Sequence, residues 1–212
     1  MNLLKINDMN SDLVDIHTGL IRCEDGHLRP PWAVANPQLR EYYDTEWGLP
    51  VTGERAMFER MCLEGFQAGL SWSLILKRRK FLRRAFEDFH PDALSSWTHD
   101  DVNAALEMEG MIRNRRKVAS VVNNAKATIA LRKNSEVDNM PLDELIWSYK
   151  PKHQAVYTHL SEVPSTCPEA TALSKHLKKL GFSFIGPKTM FALFEATGIV
   201  DTHVAGAYRA GE

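Results

Sequence analysis

Glycine and proline interrupt the chain at short intervals, and the stretches between them carry apolar residues at helical spacing. Apolar side chains recur three and four positions apart, as at Val118, Val121, Val122 and Ala125, which is the period of an amphipathic helix. The interruptions fall at Gly48-Leu49-Pro50, Gly69, His90-Pro91, Gly110, Met140-Pro141, Lys150-Pro151, Val163-Pro164 and Gly186-Pro187. Strand-like alternation is nearly absent. The sequence therefore predicts an all-α fold with helices of ordinary length.

The N-terminal segment differs from the rest of the chain. It is polar, and Gly19 and Asp25-Gly26 predict turns and a small hairpin before Pro30-Pro31. We interpret residues 1–29 as an appendage and residues 30–212 as a single helical domain. Because no apolar run approaches the roughly 20 residues that span a bilayer, we expect a cytoplasmic protein without membrane association. A monomer is the default expectation for its oligomeric state. The widely spaced Cys23, Cys62 and Cys167 predict reduced thiols.

The overall charge limits how the chain can bind nucleic acid. There are 26 Lys and Arg residues against 27 Asp and Glu, and the formal net charge is -1, so any such affinity must come from a local patch. Basic runs occur at Lys77-Arg78-Arg79-Lys80 with Arg83 and Arg84, at Arg113-Asn114-Arg115-Arg116-Lys117, and at Lys175, Lys178, Lys179 and Lys188. Each run is also compatible with an ordinary solvated helix face.

The segment near the C-terminus predicts two helices joined by a tight connection. Leu173–Leu180 and Pro187–Phe194 have helical spacing, and the link between them is Gly181-Phe-Ser-Phe-Ile-Gly186. The start of the second helix presents unpaired N–H groups, which favour a phosphate. The residues predicted to contact DNA there are Phe184, Ile185, Gly186, Lys188 and Thr189. The alternative is a purely structural helix-turn-helix corner.

Several separated motifs resemble the type I 3-methyladenine DNA glycosylases of the helix-hairpin-helix superfamily. They are Tyr42-Tyr-Asp-Thr-Glu-Trp-Gly48, Leu63-Glu-Gly-Phe-Gln-Ala-Gly-Leu-Ser-Trp72, Gly110-Met-Ile-Arg-Asn-Arg-Arg-Lys117, Ala172-Leu-Ser-Lys and Gly181-Phe-Ser-Phe-Ile-Gly186. The resemblance extends from about Arg29 to Gly206, in the family's order. It implies an all-α, two-lobed fold with a cleft between the lobes, and base-excision repair of alkylated adenine.

The resemblance also implies roles for individual residues. It assigns Glu64 to hydrogen bonding with the methylated base and Trp72 to stacking on it, with Trp47 and Tyr42 completing the base-binding set. A carboxylate and aromatic faces suit this ligand, because methylation at N3 makes the base of the nucleotide cationic. Base flipping is required to bring a base of duplex DNA into such a pocket. Trp97 and Trp147 are interpreted as core residues.

A departure from the family concerns zinc. Many members hold a structural zinc with two cysteines and two histidines, which ties the N-terminal segment to the C-terminal tail. In this chain Pro30, Tyr43 and Ala207 stand at three of the four ligand positions and His203 at the fourth. One ligand does not make a zinc site, so we predict no metal and no other cofactor. Without the metal, the tail is expected to fray, unless Leu13, Ile16, Leu20 and Ile21 replace it by packing.

Another departure is the segment Val200-Asp-Thr-His-Val204. The wider superfamily carries a catalytic aspartate in a Val-Asp-Thr-His segment, whereas type I enzymes usually have Val-Asn-Asp-His. Asp201 is therefore either a catalytic carboxylate or the N-cap of a helix that begins near Thr202.

Together these features predict a monofunctional DNA glycosylase. It would bind double-stranded DNA that contains alkylated bases, hydrolyse the N-glycosidic bond with Glu64 and Asp201 as catalytic residues, and release free 3-methyladenine. The alternative is a non-catalytic protein that retains the fold and binds damaged DNA.

Overall fold

The computed structural model describes residues 13–211, which form nine α-helices and one two-stranded sheet, so the predicted all-α fold is confirmed. The elements are β1 (Ile21–Arg22), β2 (Leu28–Arg29), α1 (Pro37–Thr45), α2 (Glu54–Gln67), α3 (Trp72–Ala85), α4 (Pro91–Ser95), α5 (His99–Glu107), α6 (Arg115–Leu131), α7 (Leu142–Trp147), α8 (Pro168–Lys179) and α9 (Pro187–Ala196). Short 3₁₀ turns span Glu87–Phe89, Ser135–Val137 and Leu160–Glu162. None of the described helices is both long and apolar enough to cross a membrane.

The helices begin where the sequence offers a cap or a proline. The Asn36 side chain accepts a hydrogen bond from the Leu39 N–H (2.9 Å) and starts α1. Ser71 accepts one from the Leu74 N–H (3.2 Å) and starts α3. Such caps satisfy N–H groups that have no partner inside the helix. Prolines occupy the first residue of α1, α4, α8 and α9, where their missing N–H is not needed.

Helix α2 lies at the centre of the molecule. It packs against α3, α6, α7 and α9, and its second half is buried from Met61 to Phe66, with Glu64 among the buried residues. Burial on all sides is typical of a helix inside a core. The core is one connected cluster that runs from α2 to α9. A carboxylate near the end of α2 is therefore held in an almost dry environment.

The predicted hairpin before Pro30 is present as the antiparallel pair β1 and β2. Leu20, just before it, packs with Val204 and Ala207 of the C-terminal tail, and the Tyr208 N–H donates to the Leu28 carbonyl (2.8 Å).

Of the four residues expected to replace the metal by packing, Leu20 and Ile21 are buried, whereas Leu13 and Ile16 are exposed. Apolar and main-chain contacts thus hold the tail in the described residues. Residues 1–12 of the predicted appendage lie outside the described residues.

Candidate active site

Glu64 is a buried carboxylate without a hydrogen-bond donor from residues 13–211. Only 6% of the residue is exposed. Burial, and then the negative charge of Glu195, raises the pKa of Glu64 to about 8, and the nearby Arg60 opposes this shift. Because a buried polar group without a partner is costly, this carboxyl group is a strong candidate for contact with a ligand.

Trp72 and Tyr42 lie beside each other, and Tyr42 is close enough to Glu64 to feel its charge. Their ring centroids are 5.4 Å apart at 51°, and the charge of Glu64 contributes to the raised pKa of Tyr42 after its burial. The Trp72 Nε1–H is buried and has no hydrogen-bond partner among the described residues. We call Tyr42, Glu64 and Trp72 the base pocket. This set combines a mostly buried carboxyl group with an unpaired donor and two adjacent aromatic rings.

The Trp47 N–H donates to the Tyr42 carbonyl (2.9 Å), but the Trp47 ring packs on rings other than those of Tyr42 and Trp72. It lies 5.5 Å from Trp32 and stacks on Tyr43 at 5.5 Å and 24°. Trp32 is in turn 6.5 Å from Tyr42. Trp32 therefore links Trp47 to the base pocket. No role was assigned to Trp32 from the sequence.

A groove of about 530 Å³ runs between α1 and α3. Tyr42 lines it together with Glu46, Arg79 and Lys80, whereas Glu64 and Trp72 do not. The groove therefore reaches the base pocket at Tyr42 alone.

The predicted DNA-binding connection is held firmly by the helices around it. The Asn124 side chain accepts from the Ser183 N–H (2.8 Å) and donates to the Ser183 carbonyl (3.1 Å). Ser174 donates to the Ile185 carbonyl (2.6 Å). Phe184 adopts φ +57°, a left-handed conformation that is costly for an aromatic residue.

This connection also rests on α2, one residue after Glu64. A Cβ atom placed on Gly65 would lie 3.4 Å from both the Cβ and the carbonyl oxygen of Phe184. Lys117 holds the same end of α2, because its buried Nζ donates to the carbonyls of Phe66 (2.7 Å) and Ala68 (2.6 Å). The hairpin and the base pocket are thus parts of one packed unit.

The structure separates the predicted DNA-contacting residues by exposure. Lys188 is exposed and Thr189 is half-buried, while the Ile185 side chain is 1% exposed. Ile185 can therefore face DNA only through its main chain. The N–H groups of Phe184, Ile185, Gly186, Lys188 and Thr189 have no hydrogen-bond acceptor within residues 13–211. They are the type of donor set that binds a phosphate.

Some residues of the basic runs serve inside the protein. Lys117 is buried at the end of α2. Arg79 pairs with Glu46 (2.7 Å) and Glu59 (3.0 Å), and Arg83 also pairs with Glu59 (2.8 Å). The basic residues that stay exposed include Lys77, Lys80, Arg84, Arg113, Arg115, Arg116, Lys175, Lys178, Lys179 and Lys188. The basic patch is therefore smaller than the sequence suggests.

The positions that would carry zinc ligands are occupied by residues with other contacts. The Tyr43 hydroxyl donates to the Tyr208 carbonyl (3.0 Å), and Pro30 and Ala207 are buried. The His203 Nδ1 lies 2.7 Å from Asp201 Oδ1, and its Nε2 is buried without a partner in the described part of the chain. Nowhere in residues 13–211 do three or more His, Cys, Asp or Glu residues come together as a metal site. These residues do not fit a four-ligand zinc.

A set of charged and aromatic contacts joins the two ends of the chain instead. Arg29, which is 2% exposed, makes two hydrogen bonds to Asp25 (3.0 and 2.9 Å) and two to Asp44 (2.7 and 2.9 Å). Its guanidinium lies 4.7 Å from the Tyr208 ring centroid, and Arg209 donates to the carbonyl of Tyr43 (2.9 Å). We call Asp25, Arg29, Tyr43, Asp44 and Tyr208 the terminal clamp.

Asp201 is not a helix cap. Residues 201–211 form no helix; instead Asp201 Oδ1 accepts from the His203 N–H (2.9 Å) and contacts its ring, which is an Asx-turn arrangement. His203 in turn lies 4.8 Å from Trp47. A Cβ on Gly48 would come within 2.9 Å of the His203 ring, so this ring packs directly on the chain after Trp47.

An acidic and aromatic pocket beside a helix-hairpin-helix element defines the class of helical DNA glycosylases. A sequence model of methyladenine glycosylase matches residues 32–210. The chain is 38% identical over 178 residues to DNA-3-methyladenine glycosylase 1 of Escherichia coli (strain K12), covering 82% of this chain and 92% of that protein. It belongs to the methyladenine glycosylase family.

Solved structures agree with this assignment. A crystal structure of 3-methyladenine DNA glycosylase I superposes with a TM-score of 0.78 and 34% identity, covering 84% of this chain and 97% of that one. A variant of 3-methyladenine DNA glycosylase I, solved in complex with 3-methyladenine, superposes with a TM-score of 0.74 and 33% identity, covering 81% of this chain and 91% of that one.

Proposed function

We propose that this protein is a monofunctional DNA glycosylase that removes 3-methyladenine from alkylated DNA and leaves an abasic site. The observation that carries the proposal is the buried Glu64 carboxyl group, whose charge acts on Tyr42, the ring of which packs on Trp72. Family membership and a related enzyme in complex with 3-methyladenine support the choice of substrate.

The pocket groups match the chemistry of an alkylated base. N3 methylation places a positive charge on the base of the nucleotide, which a carboxylate and the faces of aromatic rings attract. The unpaired Trp72 Nε1–H is available as a donor to the edge or the sugar of a flipped nucleotide. The methylated base leaves as a neutral molecule, so protonation of the leaving group is not needed. Selection of the cationic base therefore supplies much of the catalysis.

The connection from Phe184 to Thr189 is proposed to bind the DNA backbone. Its main-chain N–H groups and the start of α9 supply donors for a phosphate, and the exposed Lys188 adds a positive charge. Such contacts position the duplex without reading its sequence, and they weaken as salt increases. The proposal includes a monomeric, cytoplasmic protein, which rests on the sequence alone.

Asp201 is proposed as the carboxylate that faces the sugar cation or orients the attacking water. Its Oδ1 binds His203, and its Oδ2 has no hydrogen-bond partner within residues 13–211. Asp201→Asn is expected to lower the single-turnover rate of base release by about 100-fold. An unchanged rate would leave Asp201 only the task of holding His203.

The function is tested by incubating alkylated duplex DNA with the wild-type protein and with Glu64→Ala, and measuring released 3-methyladenine by chromatography. The wild-type protein is expected to release the base, and Glu64→Ala to lower the rate by about 100-fold or more, as for removal of a group that binds the transition state. Quenching of tryptophan fluorescence by free 3-methyladenine measures binding separately. Binding of the base without any release would favour the non-catalytic DNA-binding alternative.

A further inference from the structure

Ion pairs join the three helices that supply the base pocket, because each residue of that pocket comes from a different one of α1, α2 and α3. Glu46, which follows the last residue of α1, accepts hydrogen bonds from Arg60 of α2 and from Arg79 of α3 (2.7 and 2.8 Å). Glu59 of α2 accepts from Arg79 (3.0 Å) and from Arg83 (2.8 Å). We call Glu46, Glu59, Arg60, Arg79 and Arg83 the helix-joining network.

Arg60 is the member of this network that lies closest to Glu64 along the chain. It precedes Glu64 by four residues on α2, so both side chains leave the same face of the helix one turn apart, a spacing at which opposite charges can pair. Within residues 13–211, however, the ion pair of Arg60 is with Glu46 and not with Glu64. The Arg60 charge still acts on the pocket, since it lowers the pKa of Glu64 and of Tyr42 against their burial.

Glu46 is itself held firmly in the place where it binds Arg60. Its main-chain N–H donates to the Tyr42 carbonyl (3.0 Å) at the end of α1, and Arg79 contacts both of its carboxylate oxygens. The Arg60 side chain is only 11% exposed, and a buried charge without a partner is costly. If Glu46 lost its charge, Arg60 would therefore turn to the carboxylate one turn along its own helix, which is Glu64.

We propose that Glu46 is a positioning residue that keeps the Arg60 guanidinium away from Glu64, so that the Glu64 carboxylate stays open to a cationic base. This inference rests on the function proposed above. An arginine bound to Glu64 would occupy its oxygens and supply the positive charge that the alkylated base otherwise brings. The base would then have to displace the arginine before it could bind.

The test is a double-mutant cycle of Glu46→Gln and Arg60→Met. The amide of Glu46→Gln can still accept a hydrogen bond from Arg79, so the helices should stay joined, but it no longer attracts Arg60 by charge. Single-turnover release of 3-methyladenine from alkylated duplex DNA is measured with enzyme in excess. Glu46→Gln should lower the rate by about tenfold or more when Arg60 is present, but by less than about twofold when it is combined with Arg60→Met.

A merely structural role would give another pattern. If the Glu46–Arg60 pair only joined α1 to α2, Arg60→Met would slow base release as much as Glu46→Gln, and the double variant would not recover. That result would overturn the inference. The matched control is Glu41→Gln, the same substitution at an exposed residue of α1, which should leave the rate unchanged.

A crystal structure of Glu46→Gln separates a failure of this inference from a failure of the proposed function, because it does not depend on base release. The Arg60 guanidinium should lie within hydrogen-bond distance of Glu64 in the variant and of Glu46 in the wild type. If the wild-type protein released no base, the proposed function would fail, and the crystal structures would still decide where Arg60 binds. If it released base while Arg60 stayed away from Glu64 in the variant, only the role of Glu46 would fail.

Discussion

The terminal clamp and the base pocket are both built from aromatic and charged side chains, yet they differ in how their polar groups are satisfied. In the clamp, Arg29 makes four hydrogen bonds to two carboxylates and lies over the Tyr208 ring. In the pocket, the Trp72 Nε1–H is buried without a hydrogen-bond partner in the described part of the chain, and Glu64, which is 6% exposed, makes no ion pair there that would balance its charge. Unsatisfied buried groups reduce stability. The clamp is thus arranged for folding and the pocket for a ligand.

The largest effect should come from Glu64→Gln. Base release should fall by about 100-fold or more, because the amide carries no charge to pair with the base. Stability should change in the opposite direction. Since the pKa of Glu64 is raised in the folded state to about 8, the native protein holds a proton that the unfolded chain loses near pH 4.5, and stability falls as pH rises between these values.

Glu64→Gln removes this loss, so the variant should be more stable than wild type by about 4 kcal/mol at about pH 8 and by about 1 kcal/mol at about pH 5. Urea unfolding at the two pH values measures the difference. Equal stability at both would mean that Glu64 ionises freely in the folded protein.

Arg29→Met should lower stability and leave the rate of base release unchanged. The substitution removes the buried guanidinium that Asp44 faces, and breaking such a pair by removing one partner should lower the free energy of unfolding by about 2–3 kcal/mol. At room temperature the protein that remains folded should release base at the wild-type rate. Thermal unfolding measures the change in stability, and single-turnover kinetics on the same sample measure the rate of base release. A rate loss comparable to that of a pocket variant would show that the two regions are not independent.

The smallest effect should come from a matched pair of tryptophan variants. Trp72→Phe removes an unpaired N–H, so it should lower kcat/KM by about tenfold with little loss of stability. Trp147→Phe removes an N–H that donates to the Val51 carbonyl (2.8 Å), so it should lower the free energy of unfolding by about 1 kcal/mol without affecting base release. A similar stability loss in both variants would show that the Trp72 Nε1–H has a hydrogen-bond partner in the folded protein.

The helical architecture was predictable from the sequence because breakers and caps act locally. Asn36, Pro91 and Pro187 stand within a residue of a helix start, and the hairpin before Pro30 followed from its turn residues. The family motifs singled out Glu64, Tyr42 and Trp72, which the structure brings together. The same motifs placed Trp47 in the set; its N–H donates to the Tyr42 carbonyl, whereas its ring reaches the Tyr42 ring only through Trp32.

Contacts between residues far apart in the chain could not be predicted from the sequence. Lys117 belongs to a basic run, yet its Nζ holds the carbonyls of Phe66 and Ala68, far earlier in the chain. Asp201 is a residue type that often caps helices, but no helix follows it within the described residues.

Because Gly65 has no side chain, Phe184 can pack directly on α2, and this packing affects how the protein would find a lesion. Phe184 rests against that glycine, one residue after Glu64, and Asn124 and Ser174 fix the rest of the connection. The distance from the proposed phosphate site to the acid is then fixed, because the connection packs on the helix that carries the acid. We expect the duplex, rather than the protein, to deform until a nucleotide fits that span, so that DNA which bends easily is inspected most readily.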